Sequence, residues 1–206
     1  MVRHGQTDWN LQGKNQGRAD IELNKTGIQQ AEEVAKQFAD KKIDACFSSP
    51  LKRASKTAGI IYNGEVIVDD RLMERGNGEL EGLVDAQKLI NFDDPNETRY
   101  GIEPLTDFRK RINEFWDEIT KKYSGKDVLV VTHAGFGIYS QAYFKGDPED
   151  GNFCDRYKTK NCEIVQFDNK LTRLKYDQIN RHPQLAPITH IERRRSIHQK
   201  AQGQAI

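Results

Sequence analysis

The chain has 206 residues, 36% of them hydrophobic and 31% charged, with a formal net charge of +1. That length fits one domain with a core of ordinary size, and the near balance of charge leaves no global field to draw in nucleic acid. No apolar run is long enough to span a bilayer, and Cys46, Cys154 and Cys162 lack the spacing of a zinc site or a disulfide framework, so a cytoplasmic protein with reduced thiols is expected.

Strand-like and helix-like segments alternate along the chain. Met1 and Val2 offer only a stub of a strand ahead of Arg3-His4-Gly5. Thr26-Gly27-Ile28-Gln29 has the form of a capping box, and Ile28, Ala31, Ala35 and Phe38 then share one face, which predicts a helix to about Asp40. Ile43 to Phe47 reads as a strand, and Ser48-Ser49-Pro50 as the turn into a second helix. Val66 to Val68 is a short strand. Leu105, Phe108, Ile112, Phe115 and Ile119 mark a long amphipathic helix ending near Ser124-Gly125. Val128 to Val131 is a continuous apolar run, as a central strand covered on both faces requires. Gly135 to Phe144 reads as helical, and 162–167 with 171–176 as a closing pair of strands. This order predicts an α/β three-layer sandwich: a mostly parallel central sheet flanked by helices, its first strand truncated. Ligands of such sheets bind beyond the carboxyl ends of the strands. His4 and His133 fall there, and Arg53 lies just past another strand.

Four separated motifs stand in order: Val2-Arg3-His4-Gly5-Gln6-Thr7-Asp8-Trp9-Asn10, then Ser48-Ser49-Pro50-Leu51-Lys52-Arg53-Ala54, then Glu74, then Val131-Thr132-His133-Ala134-Gly135. Together they resemble the histidine phosphatase superfamily, the phosphoglycerate-mutase-like enzymes, from about residue 2 to about residue 176. The chemistry agrees. A neutral imidazole can attack an anionic phosphate monoester and split one hard step into two. Arginine forks bind phosphoryl oxygens in pairs, and a carboxylic acid can protonate the leaving oxygen.

The resemblance makes His4 the nucleophile, Arg3 and Arg53 the phosphoryl clamps, His133 a donor to the phosphoryl group and Glu74 the acid. Asn10 and Gln16 are candidate phosphate or substrate contacts, though polar loop residues are as good a reading. Where relatives often carry an arginine in this loop, the chain has Lys14. Glu79 is expected to be exposed, Glu81 and Glu103 structural, and the side chains of Glu74 and Arg75 to diverge. Asn161-Cys162-Glu163 is read as mostly structural.

Residues 1–180 are thus expected to form a histidine-phosphatase-like catalytic domain, and 181–206 a basic C-terminal tail. In that tail Thr189 and Glu192 could cap a short helix ahead of Arg193-Arg194-Arg195. The expected activity is metal-independent hydrolysis of small phosphorylated metabolites through phosphohistidine, with no metal, no cofactor, no nucleic acid and no membrane as partner. A homodimer is compatible with it. Two alternatives are a cofactor-dependent phosphoglycerate-type mutase and a weakly catalytic regulator that binds phosphorylated ligands. Mutases of the family tend to carry longer site-closing insertions, and only about 20 residues separate Gly82 from Glu103 here, which favours transfer to water.

Overall fold

The computed structural model describes residues 1–168. Among them four strands, β1 (Val2–Arg3), β2 (Ala45–Ser48), β3 (Val66–Val68) and β4 (Val128–Thr132), form one sheet in the order β1-β4-β2-β3. Every neighbouring pair is parallel. The helices are α1 (Asp8–Leu11), α2 (Lys25–Phe38), α3 (Lys52–Ile61), α4 (Leu105–Lys122), α5 (Ala134–Lys145) and α6 (Phe153–Tyr157). None is long and apolar enough to cross a membrane.

Alternation along the strands builds the three layers. In a strand, successive side chains point to opposite faces. Val2, Cys46, Leu129 and Val131 accordingly pack with Ala31 and Val34 of α2 and Ala54, Ala58 and Ile61 of α3. Ala45, Phe47 and Val130 point the other way, into a larger cluster with Phe108, Ile112 and Phe115 of α4 and Phe136 of α5. The apolar run of β4 is therefore covered from both sides. A third, smaller cluster of Leu80, Ala86, Ile90 and Ile102 supports the segment between the third strand and α4.

Three expectations need correction. Helix α2 is capped by Asn24, whose side chain accepts from Gly27 N at 2.9 Å, so it starts before Thr26 and the Thr26/Gln29 box does not form. Its fully buried face runs through Gly27, Ala31 and Val34, with Ile28, Ala35 and Phe38 only partly covered. Residues 162–167 do not form a strand. Cys162 takes a left-handed backbone (φ 57°), which breaks an extended run, and a single antiparallel bridge joins Val2 to Ile164. This segment still lines the free edge of β1: Cys162 N donates to Arg3 O at 3.0 Å and Val165 N to Met1 O at 2.8 Å. The two-residue β1 is thus held on both sides. The strand expected at 171–176 and the basic tail lie outside the described residues.

Phe115 is fully buried and meets Phe47, Trp116 and Phe136, with ring centroids at 5.8, 5.0 and 6.0 Å. Removing a buried aromatic ring leaves a cavity among neighbours that relax only partly. Phe115→Ala is expected to lower the unfolding free energy by about 3–5 kcal/mol in a urea titration, with the m-value unchanged.

Candidate active site

The register of β1 on β4 pairs Arg3 with Thr132, so the next residue of each strand leaves the sheet side by side. Those residues are His4 and His133. His4 N donates to Thr132 O at 2.9 Å, and the two rings lie with centroids 5.2 Å apart. Both are buried. β2 runs on the other side of β4, and its chain turns through Ser49 into α3, bringing Arg53 to the same place.

His4 Nδ1 lies 2.7 Å from Gly5 O. A carbonyl only accepts, so Nδ1 carries the hydrogen and Nε2 keeps a free lone pair. Gly5 is itself fixed: its N–H donates to Thr57 Oγ1 at 3.0 Å, and a Cβ there would collide with the Gly27 carbonyl. Burial first, then the charges of Arg53 and Arg3, hold the His4 pKa well below its ordinary value. His133 is held down in the same direction by burial, then by Arg53 and His4. Both rings are therefore neutral near neutral pH.

Arg53 is fully buried. Its Nη1 donates to Ala19 O at 2.6 Å, its Nη2 to Gly17 O at 2.8 Å and its Nε to His133 Nδ1 at 3.2 Å. Burial pulls its pKa down to about 10, which leaves it charged near neutral pH. Arg3 donates from Nη1 to Thr159 O at 2.6 Å, and its buried Nε has no partner among the described residues.

Glu74 is half-buried. Its Oε1 accepts from Arg75 N and its Oε2 from Gly135 N, each at 2.9 Å. The Arg75 side chain turns away, donating to the carbonyls of Glu103 and Phe92, so it makes no side-chain bond to Glu74. Glu79 is exposed, while Glu81 accepts from Arg18 N and Asn77 N. Glu103 is bound by both Nε and Nη2 of Arg111 and also accepts from Gly76 N.

A cleft of about 190 Å³ opens over these groups, lined among others by Arg3, His4, Arg53, Glu74, Asn10 and Gln16. Asn10 is oriented by Thr7 N, which donates to its Oδ1 at 3.1 Å, and Gln16 Oε1 accepts from Thr7 Oγ1 at 3.1 Å. Lys14 also lines the cleft, with its ammonium 5.7 Å from the centre of the Trp9 ring and no carboxylate partner among the described residues. His133 does not line it: Nε2 lies 2.8 Å from Ser49 Oγ, and Nδ1 is taken by Arg53.

All of the candidate site residues named from the sequence thus converge here, with His133 one layer behind the cleft wall. The sequence reading did not single out Ser49, Thr57, Asn15 or Asn77. It also assigned too little to Asn161, whose Nδ2 donates to His4 O at 3.0 Å and Asn10 Oδ1 at 3.2 Å. Only the Ser-Ser-Pro-Leu-Lys-Arg-Ala setting offered a signal, and it pointed to Arg53 rather than to Ser49. Among the described residues no group of three or more His, Cys, Asp or Glu could hold a metal ion.

Residues 1–181 match the histidine phosphatase superfamily, branch 1. The chain belongs to that superfamily. It is 35% identical over 187 residues to the uncharacterized phosphatase PhoE of Bacillus subtilis, covering 88% of this chain and 94% of the relative. A 2,3-bisphosphoglycerate-dependent phosphoglycerate mutase of Cytophaga hutchinsonii is 34% identical over 188 residues, 83% of this chain and 88% of that protein. The fold matches phosphoserine phosphatase of Entamoeba histolytica, solved with 3-phosphoglyceric acid, at a TM-score of 0.65 and 30% identity, covering 78% and 85% of the two chains. With phosphatases among its relatives in both sequence and structure, this member of the superfamily is a phosphatase.

The two neutral imidazoles set the sign of a pH effect. Their folded-state pKa values lie below 6.5, so near and below that pH the unfolded chain binds more protons and stability falls as pH falls. The urea midpoint is expected to be lower at pH of about 5.5 than at about 7.5. A midpoint that holds or rises on this acidification contradicts neutral rings.

Proposed function

We propose that the phosphatase hydrolyses small phosphomonoesters in two steps through a phosphohistidine on His4. The observation that carries this reading is the state of His4. Its ring is neutral and buried, its Nδ1–H is spent on Gly5 O, and Arg3 and Arg53 lie near enough to lower its pKa.

In the first step the Nε2 lone pair of His4 attacks phosphorus while the ester P–O bond breaks, and Glu74 as a carboxylic acid gives its proton to the leaving oxygen. In the second, water attacks the phosphohistidine, Glu74 takes the proton, and inorganic phosphate leaves with His4 restored. Arg53 and Arg3 hold the phosphoryl oxygens: Arg53 has an N–H on each Nη beyond those given to Ala19 and Gly17, and Arg3 has its unpartnered Nε. His133 holds Arg53 through Nδ1, and its Nε2–H reaches a phosphoryl oxygen by exchanging Ser49 Oγ for it. Asn10 and Gln16 bound the phosphate end of the cleft.

The cleft volume supports a small substrate. Lys14 adds a third cation, which suits a leaving group that carries a carboxylate, as 3-phosphoglyceric acid does. Hydrolysis is favoured over the mutase reaction because residues 83–102 contribute only two 3-10 turns, Ala86–Lys88 and Arg99–Gly101, and no larger cover. The free thiols of Cys46, Cys154 and Cys162 support a reducing compartment such as the cytoplasm.

Quenching turnover of labelled substrate is expected to leave label on His4, with activity undiminished by exhaustive chelation. Label on His133, or full turnover by His4→Ala, would overturn the assignment. A second test separates the acid from an organiser. A positioned acid contributes about 10²–10⁴ in rate, and most when the leaving group is poor. Glu74→Gln is expected to lose turnover of alkyl phosphates by that order while largely sparing activated aryl phosphates. Equal losses on both would assign Glu74 to organising the site.

A further inference from the structure

The mechanism above leaves the task of Ser49 open. Ser49 is fully buried one residue past the end of β2, where its N–H donates to Val131 O at 3.1 Å. Its Oγ accepts from Leu51 N at 3.3 Å and lies 2.8 Å from His133 Nε2. On the far side of the same ring stands Arg53 Nε, 3.2 Å from Nδ1.

These contacts allow one tautomer. Arginine Nε carries its hydrogen at any ordinary pH and only donates. His133 Nδ1 must therefore accept, and the single hydrogen of the neutral ring sits on Nε2, aimed at Ser49 Oγ. The opposite arrangement, with hydrogen on Nδ1, sets two N–H groups against each other across 3.2 Å.

We propose that Ser49 is a positioning residue that holds His133 as the Nε2–H tautomer. It thereby keeps Nδ1 free to anchor Arg53 and keeps the ring's one N–H ready for a phosphoryl oxygen. The inference rests on the phosphohistidine reading for its consequence in rate, while the tautomer itself can be measured without turnover. Removing the hydroxyl leaves the Nε2–H buried and unpaired, which is unfavourable. The ring then turns, or shifts its hydrogen to Nδ1 and pushes Arg53 out of line.

The test compares wild type, Ser49→Ala and Ser49→Thr, which keeps a hydroxyl. Imidazole nitrogen NMR reads the His133 tautomer, thermal melting reads the fold, and hydrolysis of p-nitrophenyl phosphate reads the rate. In wild type His133 is expected to be wholly Nε2–H. Ser49→Ala should stay folded, populate the Nδ1–H form or a mobile ring, and lose on the order of 10- to 100-fold in kcat, as a misplaced catalytic group does. Ser49→Thr should restore both tautomer and rate. Wild-type kcat in Ser49→Ala overturns the proposal, as does a lowered kcat with His133 still purely Nε2–H. His4→Ala, measured alongside, judges the phosphohistidine reading separately: full turnover there sinks that reading, and the NMR result still decides the role of Ser49.

Discussion

Arg53 carries a full positive charge into a place with no exposure to water and no carboxylate within ion-pair reach among the described residues. Burying an unpaired charge is costly, and three acceptors offset part of the cost here: two loop carbonyls and the ring nitrogen of His133. Each acceptor is thereby fixed in turn. The carbonyls of Gly17 and Ala19 belong to the loop after α1 that carries Lys14 and Gln16. The ring nitrogen sets the His133 tautomer and, through it, the hydrogen bond to Ser49. Longer-range attraction to Glu74, Asp20 and Glu81 adds to these bonds in keeping the guanidinium charged.

The same cation needs the sheet to deliver its neighbours. β1 has two residues, yet its register on β4 places His4 beside His133, and the 162–165 segment closes its other edge. A short strand can fix the place of His4 when both its edges are bonded and its Val2 side chain is fully buried. Backbone contact at Gly5 and Gly27 then brings the start of α2 against the chain that follows His4 without an intervening side chain.

The parts legible in the sequence were those governed by local pattern. The apolar run of residues 128–131, the 3.6-residue face from Leu105 to Ile119 and the small residues after each histidine depend on near neighbours, and they survive in the fold. The parts that were not legible depend on long-range closure. Asn161 reads as an ordinary polar residue until the segment around Cys162 returns to β1 and places its amide on His4 O. Thr57 is an unremarked helix residue until the Gly5 peptide arrives from the other end of the domain. The left-handed residue itself, Cys162, is neither glycine nor asparagine, so the apolar pattern of the stretch that follows predicts a strand that the backbone does not form.

Burial first, and then the charges of Arg53 and Arg3, lower the proton affinity of His4 and keep its Nε2 unprotonated. A phosphate entering between the guanidiniums brings negative charge that offsets much of their field. In the proposed reaction these two cations then press less on the His4 lone pair, which makes the nitrogen a better nucleophile. Protonation cannot easily intervene, because the ring is buried and its other nitrogen is already committed to Gly5 O. On the proposed mechanism the same two arginines serve twice, first by adding to burial in keeping His4 unprotonated and then by holding the group it attacks.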